Sequence, residues 1–108
     1  MEKQFSAKYT QEAENELKNL DKQNQKRVLR TVAVFEQVGK AGVNSRPLNK
    51  EGLFELKTGQ VRIYFMYHEN NIIIIGLITL KKTQKAPERY KEIAMTRIES
   101  YKRSSANG

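Results

Sequence analysis

The chain has no cysteine and a single histidine among its 108 residues. The lack of cysteine excludes a disulfide framework, thiol catalysis and thiolate-bound zinc. No apolar run reaches the roughly 20 residues of a membrane helix, because the longest, Ile72–Leu80, has about half that length. The N-terminal residues Met1–Thr10 are polar and lack the apolar core of a signal peptide. We therefore expect a cytoplasmic protein without a membrane partner.

The histidine and the acidic residues are poorly placed for metal or acid–base chemistry. His68 lies in a predicted turn and has no second histidine to act with, so we expect no catalytic role for it. Glu12, Glu14 and Glu16 fall on the exposed side of a predicted helix and lack the histidine or clustered aspartate partners of metal-dependent nucleases. The glycines of residues 52–59 do not have the spacing of a P-loop. We expect no metal and no cofactor.

Basic residues are in clear excess. Twenty Lys and Arg against twelve Asp and Glu give a net charge of +8, which favours an anionic partner such as nucleic acid or an acidic protein. Residues 61–108 hold nine of the basic residues and only four Glu, so most of the excess lies in the C-terminal half. Composition alone does not choose between the two kinds of partner.

Three segments have the periodicity of helices. Apolar residues at helical spacing follow Thr10 and Asp21, and both of these side chains suit an N-cap. The second helix is expected to end near Gly39, a residue type favoured just after a helix. A third helix begins at Pro87, whose fixed φ suits the first helical position. The first two helices are predicted to pack as a hairpin.

The segment between the second and third helices is predicted to form a sheet. The strands are expected at Leu53–Lys57, Val61–Tyr67 and Ile72–Leu80, separated by short turns. Both alternating faces of the last strand are apolar, so we expect it in the middle of a sheet covered on both sides. The fold class is therefore α+β, with one domain over residues 1–103 and a mobile polar tail over residues 104–108.

The densest basic segment follows the last predicted strand. Lys81, Lys82 and Lys85 lie where this strand emerges from the sheet, and Arg89 and Tyr90 follow on the next helix. Side chains at this position can hold a phosphate. A basic run after an apolar strand is also typical of a solvated segment that protects against aggregation. The segment alone does not decide between these two interpretations.

The middle predicted strand supplies further candidates. Strand alternation places Arg62 and Tyr64 on one face, and Lys57 lies across the turn, with its facing undetermined. Such a cationic groove suits RNA scission, in which a 2′-hydroxyl attacks the neighbouring phosphate without a metal. A lysine crowded by other cations can act as the base, while an arginine holds the phosphate. Tyr64 is equally typical of an ordinary sheet residue.

The order of helices, hairpin, apolar strand, basic segment and final helix resembles the RelE/ParE superfamily of bacterial and phage toxins, especially its HigB-like, phage-derived branch. The resemblance spans nearly the whole chain. It rests most on the segments Leu53–Lys57, Val61–Phe65 and Leu80–Pro87. It implies a compact, microbial-RNase-like fold in which two N-terminal helices pack on a small, mainly antiparallel sheet.

The resemblance also implies a function. Members of this branch are toxins of type II toxin–antitoxin systems that cut messenger RNA on the ribosome, as metal-independent endoribonucleases or mRNA interferases, and so inhibit translation. A helix-turn-helix, HigA-like antitoxin neutralises them. The toxin is expected to be held at operator DNA only through this antitoxin. The implied catalytic residues are Arg62 at the scissile phosphate with Lys57, Lys81 and Lys82, and the implied RNA contacts are Tyr64, Lys85, Arg89 and Tyr90. Glu55 stands where RelE itself has a lysine, so the general base is unassigned.

Two other functions remain open at this stage. ParE toxins share the fold but act on DNA gyrase, and a toxin of that kind would have no nuclease activity. A non-catalytic nucleic-acid-binding module is consistent with the net charge of +8. The grouping of Arg62 with the basic segment after the last strand favours the ribonuclease. The sequence leaves codon preference and oligomeric state undetermined.

Overall fold

The computed structural model describes residues 3–81 and 85–107 and shows an α+β fold, which confirms the predicted class. A short 3-10 helix at Gly39–Gly42 joins the helical and strand regions. The other elements, in chain order, are β1 (Ser6–Tyr9), α1 (Gln11–Lys18), α2 (Lys22–Val38), β2 (Asn44–Pro47), β3 (Leu53–Thr58), β4 (Val61–His68), β5 (Ile72–Leu80) and α3 (Glu88–Asn107).

The sheet has five strands in the order β1-β5-β4-β3-β2. Strand β1 runs parallel to β5, and the other pairs are antiparallel. The three predicted strands are present, whereas the two edge strands β1 and β2 were missed. Each edge strand has only four residues, which is too short to leave a periodic signal of its own.

The helix starts follow from local side-chain chemistry, as predicted. The Thr10 hydroxyl accepts a hydrogen bond from the Ala13 N–H at 3.1 Å, and Asp21 Oδ1 accepts one from the Asn24 N–H at 2.8 Å. Both bonds satisfy an N–H group that has no partner within its own helix. Gly39 ends α2 with a φ of 68°, which glycine adopts without strain.

Helices cover both faces of the sheet. One apolar cluster joins α1 and α2 to the sheet and is centred on Phe35, whose ring meets Phe65 edge-on at 5.3 Å. The other cluster joins α3 to the opposite face through Ala94 and Ile98. The predicted alternation in β4 is confirmed, since Val61, Ile63, Phe65 and Tyr67 belong to the first cluster and Tyr64 and Met66 to the second.

Strand β5 is interior and covered on both faces, as predicted, although the middle strand of the sheet is β4. A register shift between Tyr64 and Phe65 opposes the β5 segment that contains Gly76. A Cβ at Gly76 would lie 2.8 Å from the Ala94 carbonyl oxygen, so the strand can pass α3 this closely only with glycine.

Glu16 corrects the expectation that all three acids of the first helix lie on its exposed side, because it is half-buried. Its Oε1 accepts a hydrogen bond from the Ile78 N–H at 3.0 Å, and both carboxylate oxygens lie 3.0 Å from Arg97 Nη1. Arg97 also donates to the Gly76 carbonyl at 3.1 Å. Pairing of β1 with β5 ends at Ile75, so the Gly76 carbonyl and the Ile78 N–H lie beyond it. Glu16 and Arg97 supply the hydrogen-bond partners of these two groups.

Helix α3 begins one residue after Pro87, whose carbonyl accepts from the Tyr90 and Lys91 N–H groups. It continues to Asn107, into the segment for which the sequence predicts a mobile tail. Among the described helices, none combines the length and the apolar character needed to cross a membrane.

Candidate active site

The β3–β4 hairpin brings two of the predicted catalytic residues side by side. Its turn is formed by Gly59 and Gln60, and Gly59 has a φ of 58°. The resulting register pairs Lys57 with Arg62, and Arg62 in turn with Thr79 on β5. Cross-strand partners project from the same face of a sheet, so Lys57 and Arg62 both lie on the α3 side. Both side chains are half-buried.

Hydrogen bonds hold the Arg62 side chain over the turn. Its Nη1 donates to the Gly59 carbonyl at 2.9 Å and to the Val61 carbonyl at 3.0 Å. The guanidinium group therefore lies at the end of the sheet rather than in the core, as the sequence predicts. The planar guanidinium can present further donors to an anion in this position.

A pocket lies beside Arg62 where β5 ends and α3 begins. It contains several of the predicted residues, namely Arg62, Tyr64, Lys81, Lys85 and Tyr90. Lys81 is exposed, and its backbone N–H donates to the Gln60 carbonyl at 2.6 Å, which ties the end of β5 to the hairpin turn. Lys85 is also exposed. Side chains from the hairpin and from the basic segment therefore meet in one pocket.

Not every predicted residue lies in this pocket. Arg89 is exposed on the first turn of α3 but does not line it. Lys57 is next to it in the sheet, as the partner of Arg62, without lining it. Lys82 lies outside the described residues. The catalytic and RNA-binding roles of all eight candidates stay predictions.

Tyr64 is almost fully buried, with 1% of its surface exposed, and it packs among the apolar residues beneath α3. Its ring meets the ring of Tyr90 edge-on at a centroid distance of 6.5 Å. This is the sheet-packing alternative that the sequence left open. Burial, together with the neighbouring carboxylate of Glu55, raises the pKa of Tyr64 to about 12. The phenol therefore stays protonated at neutral pH and can donate a hydrogen bond but is a poor base.

The pocket lining includes two charged residues that were not among the candidates from the sequence, Arg46 and Glu55. Arg46 Nε donates to Glu55 Oε1 at 2.8 Å. The Glu55 side chain is 2% exposed and that of Arg46 is 38% exposed. A buried carboxylate is therefore paired with a partly exposed arginine that lines the pocket. The cross-strand row runs from Arg46 through Glu55 to Tyr64. The sequence signal for this pair was Glu55, a charged residue within the apolar strand β3. Its partner Arg46 could not be identified because it lies on β2, which the sequence did not predict.

The chemistry available here is that of a phosphate site. Four basic residues line the pocket, namely Arg46, Arg62, Lys81 and Lys85, and Glu55 is the single acid among the described residues that line it. Arginine and lysine side chains in one pocket favour the binding of a polyanion, and they can stabilise negative charge that develops on a phosphate. In the part of the chain that the structure describes, no three His, Cys, Asp or Glu side chains form a group that could hold a metal ion.

Comparisons with known proteins identify the family and the fold of the chain. The profile of the phage-derived Gp49-like protein family matches residues 15–99. The archaeal RelE–RelB complex from Pyrococcus horikoshii is similar in structure at a TM-score of 0.61 and 15% identity, covering 72% of this chain and 96% of that one. The RelBE2 toxin–antitoxin complex of Mycobacterium tuberculosis gives a TM-score of 0.53 at 20% identity, covering 71% and 98%. No curated protein matches.

The family match covers most of the chain, and the structural matches reach the same fold at low identity. The predicted resemblance to the RelE superfamily is thereby confirmed for the fold, while the assignment to the HigB-like branch stays a prediction. The chain belongs to the phage-derived Gp49-like protein family and has the RelE fold.

Proposed function

We propose that this protein is the toxin of a type II toxin–antitoxin system and acts as a metal-independent endoribonuclease on ribosome-bound messenger RNA. The observation that carries the proposal is the pocket at the end of the sheet, where Arg46, Arg62, Lys81 and Lys85 meet on a RelE fold. Because its proposed substrate is messenger RNA on the ribosome, we place its action in the cytoplasm.

The proposed reaction is transfer of the phosphate to the neighbouring 2′-hydroxyl. The 2′-oxygen attacks phosphorus while a base removes its proton, and the bond from phosphorus to the 5′-oxygen breaks as that oxygen gains a proton. The products are a 2′,3′-cyclic phosphate and a 5′-hydroxyl end. Arg62 holds the phosphate and stabilises the charge that accumulates on its oxygens. Lys57 and Lys81 are the candidate proton carriers, since Tyr64 is buried and protonated.

The direct test uses purified protein and ribosomes programmed with a defined message, in the presence of a chelator. We expect cuts in the message that primer extension locates, with 5′-hydroxyl ends. The same message without ribosomes should be cut far less. An intact message at saturating protein contradicts the proposal, and inhibition of gyrase supercoiling without RNA cleavage would instead support a ParE-like toxin.

The proposed partner is a helix-turn-helix antitoxin that covers the cationic pocket. Of the two solved structures named above, one is a RelE–RelB complex and the other is a toxin–antitoxin complex. A basic cleft left open among cellular RNA would bind it continually, so neutralisation by masking is physically reasonable. Co-expression with the product of the adjacent gene should restore growth and give a complex on size-exclusion chromatography. Growth arrest that no adjacent gene relieves contradicts this part of the proposal.

A further inference from the structure

The ion pair of Arg46 and Glu55 is better suited to positioning a ligand-binding side chain than to stabilising the fold. Glu55 is 1% exposed, so its carboxylate has lost nearly all of its water. A buried ion pair of this kind rarely stabilises a fold more than apolar residues of similar volume would. Its conformational effect is more specific, because the carboxylate fixes Arg46 through a 2.8 Å hydrogen bond to Nε.

The position of Arg46 indicates what it would bind. Its side chain lines the same pocket as Arg62 and is 38% exposed there. The two arginines are on strands separated by β3, in different cross-strand rows, so their Cα atoms are roughly 12 Å apart from ideal sheet spacing. Each guanidinium is also held at its own place, Arg62 over the hairpin turn and Arg46 against Glu55. Two guanidinium groups that are held at separate places in one pocket can each take a phosphate of the same strand.

We propose that Arg46 binds the phosphate adjacent to the scissile phosphate of the RNA, and that Glu55 is a positioning residue that holds Arg46 in place. The proposal rests on the proposed function, in which the pocket takes an RNA strand. It adds a second phosphate subsite to the pocket. Tight binding then requires a phosphate adjacent to the scissile phosphate, as well as the scissile phosphate itself.

The test is a binding measurement that does not require cleavage. The probe is a short single-stranded RNA in which a 2′-deoxy nucleotide at the cut position prevents the reaction, and its dissociation constant is measured over a range of salt concentrations. The principal variant is the double substitution Arg46→Met, Glu55→Leu. It replaces the ion pair by apolar residues of similar size and leaves the net charge of the protein unchanged, so folding and general attraction for RNA are preserved.

We expect the double variant to bind about tenfold more weakly, as for loss of one hydrogen-bonded charge contact. The slope of log K against log salt should fall by about 0.7, the value for one phosphate contact on a single strand. A methylphosphonate at the phosphate adjacent to the cut should weaken binding by the wild type but not by the double variant. The matched control is Arg103→Ala, an exposed arginine near the far end of α3, which should keep the wild-type slope.

Two single variants test the positioning role. Glu55→Leu removes a negative charge from the pocket, so charge alone predicts tighter binding, whereas loss of positioning predicts weaker binding. Glu55→Gln should recover part of the affinity, because its amide oxygen still accepts from Arg46 Nε. Unchanged affinity and slope in the double variant, or tighter binding by Glu55→Leu, would overturn the proposal. If these binding results are as expected but the wild type cuts no message, the phosphate subsite stands and the proposed nuclease function fails.

Discussion

Replacement of Arg62 by alanine separates a role in chemistry from a role in folding. The substitution removes the hydrogen bonds from Nη1 to the Gly59 and Val61 carbonyls at 2.9 and 3.0 Å. Each such bond contributes about 0.5–1.5 kcal/mol, and water can replace the arginine at these accessible carbonyls, so we expect a loss near 1 kcal/mol in total. A domain of this size is typically stable by about 5–15 kcal/mol, so the variant should stay folded.

The expected effect on the reaction is much larger. An arginine donor that contacts the phosphate mainly in the transition state is worth about 10²- to 10³-fold in rate, or about 3–4 kcal/mol. Arg62→Lys keeps the charge but loses the planar fork, and should recover only part of this rate. The assay is single-turnover cleavage of ribosome-bound message, with urea denaturation of the same preparations to measure the folded fraction. Arg103→Ala serves again as the arginine control.

One result would refute this reasoning. If Arg62→Ala cuts as fast as the wild type while the double variant Lys81→Ala, Lys82→Ala is inactive, then the residues after β5 hold the scissile phosphate. The site would then lie at the start of the basic segment rather than on the hairpin. A variant that is both inactive and unfolded in urea-free buffer would show instead that the carbonyl contacts of Arg62 dominate its role.

Three further predictions concern stability. Glu16→Ala removes the acceptor of three hydrogen bonds and should cost about 2 kcal/mol by urea denaturation, with cleavage per folded molecule unchanged; an unaltered midpoint would show that the β5 contact is dispensable. Gly76→Ala places a methyl group 2.8 Å from the Ala94 carbonyl and should cost about 3 kcal/mol, seen as a lower melting temperature; a midpoint equal to the wild type's contradicts this. Because burial and Glu55 raise the pKa of Tyr64 from 10.0 to about 12, its contribution to stability is complete below pH 10 and declines as pH rises through that window. Tyr64→Phe should make the alkaline loss of stability shallower, and equal slopes for the two proteins would exclude Tyr64 as a cause.

Several features of the fold were predictable because their causes are local. The caps at Thr10 and Asp21 bond N–H groups three residues ahead, so the sequence alone contains both partners. The bounds of β5, Ile72–Leu80, coincide with the apolar run that predicts it. Alternation in β4 correctly placed Tyr64 and Met66 on the face opposite Val61, Ile63 and Phe65, and the structure shows that α3 covers this face. These features can be predicted from the sequence because each depends on residues within one helix or strand.

The candidate site was predictable only in part, because its assembly depends on register and on distant segments. The two-residue turn at Gly59 and Gln60 decides that Lys57 faces Arg62, which the sequence left undetermined. Pairing of β2 with β3 decides that Arg46 meets Glu55. Edge strands of four residues have too little periodicity to reveal such pairs, and a buried acid becomes intelligible only with its cation in place. The sequence by itself therefore determined the class of fold and the cationic end of the sheet. The tertiary structure decided which charges meet there, since that depends on which strands pair and in which register.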